Sequence, residues 1–206
     1  MSDRLKEWGK EIFEHKYLIL FSLLLLAFSL VLDYLAGVYV TKTPGVVAPD
    51  LILDHIPTLD LDFIFVYGQI LNISLIFLFA LFFRTKQFHK VISQFSLLVI
   101  IRSAFTTFTH LETPAGALKF HIPSMISKIS FQNDLFFSGH TAVPFLGFLL
   151  FKDSKIRYFF LASSIVMAAT VLFMHVHYTI DVLSAFFITY GVYKIGNWIF
   201  RKINNY

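Results

Sequence analysis

The sequence predicts an all-α, polytopic membrane protein in which six helices cross the bilayer. The composition is the first observation: 57% of the residues are hydrophobic and 15% are charged, against roughly 25% charged residues in typical soluble domains. The second is a series of six apolar runs, most of them close to the ~20 residues that a spanning helix needs. The third is an uneven distribution of basic residues between the segments that separate these runs. These observations leave little room for a soluble domain.

The predicted spans cover most of the chain after its first sixteen residues. They are residues 17–40, 63–83, 91–109, 135–151, 156–174 and 180–200. The first contains Asp33 and the third contains Arg102, and ionisable groups at such depth usually have a function. The breaks between the last three spans are short, so we expect those helices to be antiparallel neighbours.

Residues 1–16 are predicted to form a cytoplasmic or interfacial amphipathic segment, and residues 17–206 the membrane catalytic domain. Leu5, Trp8, Ile12 and Phe13 recur at helical spacing, which suits a helix lying in the membrane interface. A solvated segment ahead of the first span is the alternative. We expect no cleavable signal peptide, because no small-residue cleavage motif follows the first apolar run.

The basic residues predict the orientation. Of the 17 Lys and Arg residues, all but four fall on the side of the two termini, and the exceptions are Lys42, Arg102, Lys119 and Lys128. The positive-inside rule therefore predicts cytoplasmic termini. The opposite, non-cytoplasmic side receives six histidines: His55, His110, His121, His140, His175 and His177. The net charge of +4 is explained by topology, so we expect no nucleic-acid partner, and the absence of Cys excludes thiol chemistry.

Two short segments carry the candidate chemistry. In "HYTID", His177 and Asp181 are spaced i and i+4, close enough in a helix to interact. The carboxylate can hold one ring nitrogen protonated and leave the other as a nucleophile or base. In "SGHT", we expect Ser138 to cap a helix, Gly139 to let a ligand approach the backbone, and the helix N-terminus to suit phosphate. His140 in that first turn suits a general acid.

Other interpretations of these residues exist. A single His at a helix end is usually a hydrogen-bonded interfacial residue, and an HxxxD pattern occurs by chance. Two His and one Asp suit Zn²⁺ as ligands, but no HExxH motif is present. Taken together on one membrane face, the two segments favour phosphoryl chemistry, and we expect neither a metal nor another cofactor.

"SGHT" followed by "HYTIDV" resembles the sphingomyelin synthase branch of the type 2 phosphatidic acid phosphatase superfamily. "RSAFTTFTHLETP" (residues 102–114) and "DHIPTLD" (residues 54–60) resemble further segments of that branch. The resemblance implies the six-helix bundle of that superfamily, with its active site on the non-cytoplasmic face. It further implies that His177 is the nucleophile and forms a phosphohistidine. Asp181 would orient it, and His140 would be the general acid and later the general base.

Three further residues are candidates for supporting roles. Asp134 matches an acidic position of the branch and could orient His140, while Glu112 could activate an acceptor hydroxyl. Both are equally well explained as simple loop acids. Arg102 is the candidate phosphate contact, the alternatives being that its side chain snorkels toward the membrane interface or forms an ion pair with a carboxylate such as Glu112 or Asp134.

Departures from the wider superfamily bear on the substrate. No KxxxxxxRP motif is present, and Val171 stands where phosphatases carry an Arg six residues before His177. With these cations missing, the sequence favours a transferase acting on a phosphodiester over a phosphatase acting on a monoester dianion.

We therefore expect an enzyme that moves a phospho-alcohol head group from a glycerophospholipid to a lipid hydroxyl such as ceramide or diacylglycerol, with phospholipase C-like hydrolysis as a further reaction. The alternatives are a lipid phosphatase or pyrophosphatase and a non-catalytic lipid-binding protein. The expected partners are the donor and acceptor lipids and the bilayer. The oligomeric state is left open, a homo-oligomer included.

Overall fold

The computed structural model describes residues 2–118, 131 and 133–204, and this part of the chain is helical apart from its loops and one isolated bridge between Val46 and Leu111. The helices are α1 (Ser2–Glu14), α2 (Lys16–Lys42), α3 (Asp62–Phe83), α4 (Phe88–Phe108), α5 (Gly139–Leu150), α6 (Ile156–Phe173) and α7 (Thr179–Asn204). Short 3₁₀ helices span Leu53–His55 and Thr85–Gln87. Lys119, His121 and Lys128 lie outside the described residues. The all-α class is confirmed.

Four of the helical segments are long and apolar enough to cross a membrane. They are Lys16–Lys42, Asp62–Phe83, Thr85–Phe108 and Ile156–Phe173, and they suggest a membrane protein. Helix α5 has only 12 residues, fewer than the ~17 that a span requires. Helix α7 has 26 residues, but Asp181 and Lys194 lower its hydropathy. The six spans and the orientation of the termini therefore stay predictions.

Helix α5 begins four residues later than the predicted boundary at 135, so that boundary was wrong. Side chains of α4 hydrogen-bond to the backbone carbonyls just before the helix. The guanidinium of Arg102 donates to the carbonyl of Phe137 (3.1 Å), and the hydroxyl of Thr106 donates to that of Phe136 (2.8 Å). These carbonyls are thereby directed toward α4, and regular helix starts only at Gly139.

The helices pack around a shared apolar core. Helix α2 lies along α4, and α5 packs between α6 and α7 while also contacting α3. The largest buried core side chains include Ile76, Leu98, Phe137, Leu146 and Phe160. In contrast, large apolar side chains are exposed along α2, α3, α6 and α7. An apolar surface of that extent suits lipid contact rather than water.

Three loops meet at one end of the bundle. A hydrogen bond from the Val46 N–H to the His110 carbonyl (3.1 Å) joins the loop of residues 43–61 to the loop of residues 109–118. The Leu59 N–H donates to the Phe173 carbonyl (2.8 Å), and the Leu118 N–H to the Met174 carbonyl (3.1 Å). The loops before α3, after α4 and before α7 are thus joined, and α5 and α7 both begin at this end.

Tyr178 braces these loops from inside. Its side chain is buried, its hydroxyl accepts a hydrogen bond from the Ala48 N–H (3.1 Å), and it donates to the Glu112 carbonyl (2.9 Å). Burial raises the pKa of the Tyr178 phenol above its ordinary value; the hydrogen bond from Ala48 acts in the opposite direction, and nearby acidic groups add to the rise. The hydroxyl therefore stays protonated and able to donate at neutral pH.

Replacing Tyr178 with Phe should destabilise the protein by about 1 kcal/mol, because two backbone groups lose their partner. Thermal unfolding in detergent micelles measures the change. Tyr190→Phe is the matched control, since Tyr190 lies on α7 with a half-exposed side chain. Equal unfolding temperatures for the two variants would contradict the bracing role.

Candidate active site

His177 and Asp181 form a buried pair at the start of α7. The His177 Nδ1 lies 3.4 Å from the Asp181 Oδ2, so the tautomer protonated at Nδ1 donates to the carboxylate. Helix α7 begins at Thr179, so His177 belongs to the turn before the helix. The pairing leaves Nε2 of His177 free for chemistry.

The Asp181 carboxylate also organises the backbone around it. Its Oδ2 accepts a hydrogen bond from the Tyr178 N–H (2.9 Å), which is half of a capping box, in which an acidic residue in the first turn bonds back to the N-cap N–H. Its backbone carbonyl accepts from the Ser138 N–H (3.2 Å). Asp181 thereby joins the start of α7 to the start of α5.

His140, in the first turn of α5, faces the pair. The centroids of the His140 and His177 rings are 6.5 Å apart, with the rings inclined at 58°. The other side of His140 stacks on Phe65 of α3, with 3.9 Å between ring centroids and an 18° interplanar angle. The stack limits rotation of the His140 ring. The structure thus brings together the three residues predicted to form the catalytic group.

Ser138 and Gly139 directly precede His140, and Ser138 does not make the side-chain capping bond that was expected. Ser138 occupies the N-cap position of α5 without a side-chain capping bond; its hydroxyl accepts instead from that of Thr141 (3.3 Å). A Cβ atom at Gly139 would lie 3.1 Å from Nε of Arg102. The close packing of Arg102 therefore explains the glycine, and the approach of a ligand at Gly139 stays a prediction.

Arg102 is held between two carboxylates. Its Nη1 lies 3.4 Å from the Asp33 Oδ1, and its Nη2 lies 2.9 Å from the Asp134 Oδ1. Nη2 also donates to the Asp134 backbone carbonyl (3.3 Å), and Ser103 donates to Asp33 (3.2 Å). The alternative of an ion pair with Asp134 is therefore the one observed, and Asp33 is a second partner that the sequence argument did not assign. A phosphate contact by Arg102 stays a prediction.

The two candidate supporting acids have other partners in the structure. The Asp134 carboxylate also accepts from the Thr106 hydroxyl (3.3 Å), so its bonds run to α4, whereas the His140 ring is held by Phe65. Glu112 is exposed, and it is its backbone carbonyl that accepts from Tyr178. The roles proposed for these two carboxylates stay predictions.

Asp50 is a residue of this region that the sequence argument missed. It lies in the loop before α3, and its carboxylate accepts from both the N–H (2.6 Å) and the hydroxyl (2.7 Å) of Thr179. The same carboxylate accepts from the N–H groups of Ile52 (3.0 Å) and Leu53 (3.2 Å). Partial burial raises the pKa of Asp50, but the hydrogen bonds from Thr179, Leu53 and Ile52 outweigh it and leave the pKa below its ordinary value. The only local signal was an Asp that follows a Pro ahead of a short helical turn.

His175 is buried beside the pair but faces elsewhere. Its φ angle of 56° puts it in the left-handed region. It lines a cavity of about 380 Å³ at the loop end of the bundle, together with Asp50, Asp54, Pro114 and Tyr178 among others.

Residues 133–198 match the family model described as PAP2 superfamily C-terminal. The matched segment, less than half of the chain, runs from the residues before α5 through most of α7 and contains His140, His177 and Asp181. The match supports the type 2 phosphatidic acid phosphatase superfamily, whose members are typically phosphatase or phosphotransferase enzymes. It does not single out the sphingomyelin synthase branch. No curated protein and no solved structure gives a significant match to the chain.

Arg102→Ala should destabilise the protein by roughly 3 kcal/mol, because it leaves two partly buried carboxylates without their cationic partner. Two carboxylates and two backbone carbonyls would each lose one donor. Unfolding in detergent micelles measures the change. The control is Arg84→Ala, which removes a single exposed hydrogen bond of 3.4 Å to the Asp153 carbonyl at the opposite end. A smaller loss for Arg102→Ala than for the control would contradict this account.

The Asp50→Asn variant should show over which pH range the charge of Asp50 contributes to the stability of the protein. Because its pKa in the folded state lies below the ordinary 3.8, the contribution is complete above that value and is lost as pH falls through the folded-state pKa. The gap in unfolding temperature between wild type and Asp50→Asn should therefore be constant from neutral pH to about pH 5 and should shrink below about pH 4. A gap that widens on acidification would refute the assignment.

Proposed function

We propose that the protein is a membrane lipid phosphotransferase. It takes a phospho-alcohol head group from a glycerophospholipid, holds it as a phosphohistidine and passes it to the hydroxyl of ceramide or diacylglycerol. The observation that carries the proposal is the arrangement of two imidazoles, one in the first turn of α5 and one in the turn before α7. Their ring centroids are 6.5 Å apart, and the second imidazole is paired with a buried carboxylate. The matched superfamily is consistent with lipid phosphatase or phosphotransferase activity.

In the first half-reaction, the free Nε2 of His177 attacks the phosphorus of the donor lipid. A P–N bond forms as the P–O bond to diacylglycerol breaks, and protonated His140 gives its proton to the leaving oxygen. A general acid of this kind typically contributes about 10²–10⁴-fold in rate. Nδ1 of His177 keeps its proton, donated to Asp181.

In the second half-reaction, neutral His140 removes the proton from the acceptor hydroxyl. The acceptor oxygen attacks phosphorus, the P–N bond breaks, and His177 and His140 return to their starting states. Water in place of the lipid hydroxyl gives hydrolysis and releases the phospho-alcohol. The balance between transfer and hydrolysis thus depends on which hydroxyl reaches the intermediate.

Asp181 supports the phosphohistidine electrostatically. The side chain is 0% exposed, and its Oδ1 is buried without a hydrogen-bond partner among the described residues. A buried carboxylate with an unpaired oxygen is costly by itself, and a positive neighbour offsets that cost. Phosphorylation at Nε2 makes the imidazole of His177 more cationic, so Asp181 stabilises the intermediate relative to the resting enzyme.

The state of Arg102 favours a phosphodiester substrate over a monoester. Its charge is already balanced by Asp33 and Asp134. A monoester dianion needs more free positive charge than this arrangement offers, whereas a diester carries a single negative charge. Phosphatase or pyrophosphatase activity by the same three residues is the alternative, and the family match is compatible with either.

We further propose that the reaction takes place on the non-cytoplasmic face. Helices α5 and α7 begin at the loop end of the bundle, where lipid phosphates would lie. The opposite end carries the basic residues Arg84, Lys152, Lys155 and Arg201 among others, as the positive-inside rule predicts for a cytoplasmic side.

The first test uses purified protein in liposomes of several glycerophospholipids, with ceramide and diacylglycerol supplied as acceptors. Mass spectrometry follows new head-group lipids and released phospho-alcohol. We expect wild type to form a new phospholipid and His177→Ala to form none, while His140→Ala slows turnover by about 10²–10⁴-fold. His110→Ala is the matched control, since His110 is an exposed histidine at the same end.

Full activity of His177→Ala would overturn the proposed mechanism. Release of inorganic phosphate from monoesters, with no head-group transfer, would favour the phosphatase alternative. Release of phospho-alcohol alone would show that water is the main acceptor.

A further inference from the structure

We propose that Asp50 is a positioning residue for the catalytic turn. Its carboxylate, from a loop 129 positions earlier in the chain, accepts two hydrogen bonds from Thr179, the first residue of α7. Thr179 lies midway between His177 and Asp181. Asp50 would thereby set the distance between the imidazole of His177 and the carboxylate of Asp181. The effect on catalysis rests on the proposed function, whereas the effect on the geometry of the turn does not.

The start of α7 needs an external partner. The first N–H groups of a helix have no acceptor within the helix and are commonly satisfied by a Ser, Thr, Asp or Asn at the N-cap. Here the residue before the helix is Tyr178, whose side chain cannot cap the turn and whose hydroxyl is bonded to Ala48 and Glu112. Asp50 supplies an acceptor for the Thr179 N–H at 2.6 Å.

The turn that Asp50 holds also determines the geometry of Asp181. Oδ2 of Asp181 is shared between the Tyr178 N–H at 2.9 Å and the His177 Nδ1 at 3.4 Å. Both donors precede the helix, whereas Asp181 lies within its first turn. If Thr179 frays from the helix, the two donors on His177 and Tyr178 move away from the Asp181 carboxylate. Fixing Thr179 therefore fixes the pair.

Asp50 is itself held rigidly. The N–H groups of Ile52 and Leu53 donate to the same carboxylate, and the backbone of the following 3₁₀ helix starts there. Its negative charge also lies at the N-terminus of α7, where the helix dipole favours an anion. A carboxylate fixed by its own loop is the kind of support that holds a catalytic side chain in its productive geometry.

Asp54 offers a matched control in the same loop. It lines the same cavity as Asp50, but its side chain is exposed and it makes no side-chain hydrogen bond among the described residues. Removing either carboxylate changes the local charge equally. A difference between the two variants therefore reports on the hydrogen bonds of Asp50 and not on charge alone.

The kinetic test compares Asp50→Ala, Asp50→Asn and Asp54→Ala in the liposome assay. We expect Asp50→Ala to lower kcat by about 10–100-fold, since small displacements of catalytic groups cost up to about 10²-fold, with KM changed by less than about twofold. Asp50→Asn keeps one oxygen acceptor for Thr179 and should lie between Asp50→Ala and wild type. Asp54→Ala should match wild type.

A second measurement does not need turnover. The imidazole ¹⁵N resonances of His177, assigned through His177→Asn, report on the Nδ1 hydrogen bond in detergent micelles. They should shift in Asp50→Ala and stay unchanged in Asp54→Ala. Unchanged resonances in folded Asp50→Ala, or an equal shift in Asp54→Ala, would overturn the positioning role. If wild type transfers no head group while the resonances shift as expected, the proposed function fails and the positioning role stands.

Discussion

A fully buried acidic residue, Asp181, joins the starts of α5 and α7, where His140 and His177 lie. Removing an ionised group from water costs several kcal/mol even after the protein relaxes, so the structure around Asp181 has to compensate it. The side chain accepts from His177 and Tyr178, and the backbone carbonyl accepts from Ser138. The starts of α5 and α7 are therefore adjacent, and His140 faces His177 with 6.5 Å between ring centroids.

A second charged network supports the first from α4. Arg102 bonds to Asp33 of α2, to Asp134 and to the carbonyl of Phe137, and it packs against Gly139. This network determines the path of the chain into α5, and with it the position of His140. The Arg102 guanidinium, which the sequence suggested as a phosphate contact, thus connects three segments of the structure.

Hydrogen bonds join the loops at this end of the bundle into one unit. The Tyr178 hydroxyl bonds to the loops on both of its sides, and Asp50 bonds to the start of α7. Under the proposed function, a head group that enters from the membrane surface meets loops that are held in place by these hydrogen bonds. The cavity beside Tyr178 lies within this unit and is bounded by the Asp50 loop.

The sequence by itself determined the features that depend on local pattern. The apolar runs predicted the helical class and six spans, four of which correspond to helices long and apolar enough to cross a membrane. The four-residue spacing of His177 and Asp181 predicted their contact. It could not determine the start of α5, the partners of Arg102 or the role of Asp50. These depend on contacts between residues far apart in the chain, such as the 69 positions from Asp33 to Arg102 and the 129 from Asp50 to Thr179. Only the packing of α2 on α4, and of the loops on α7, brings those groups within hydrogen-bond distance.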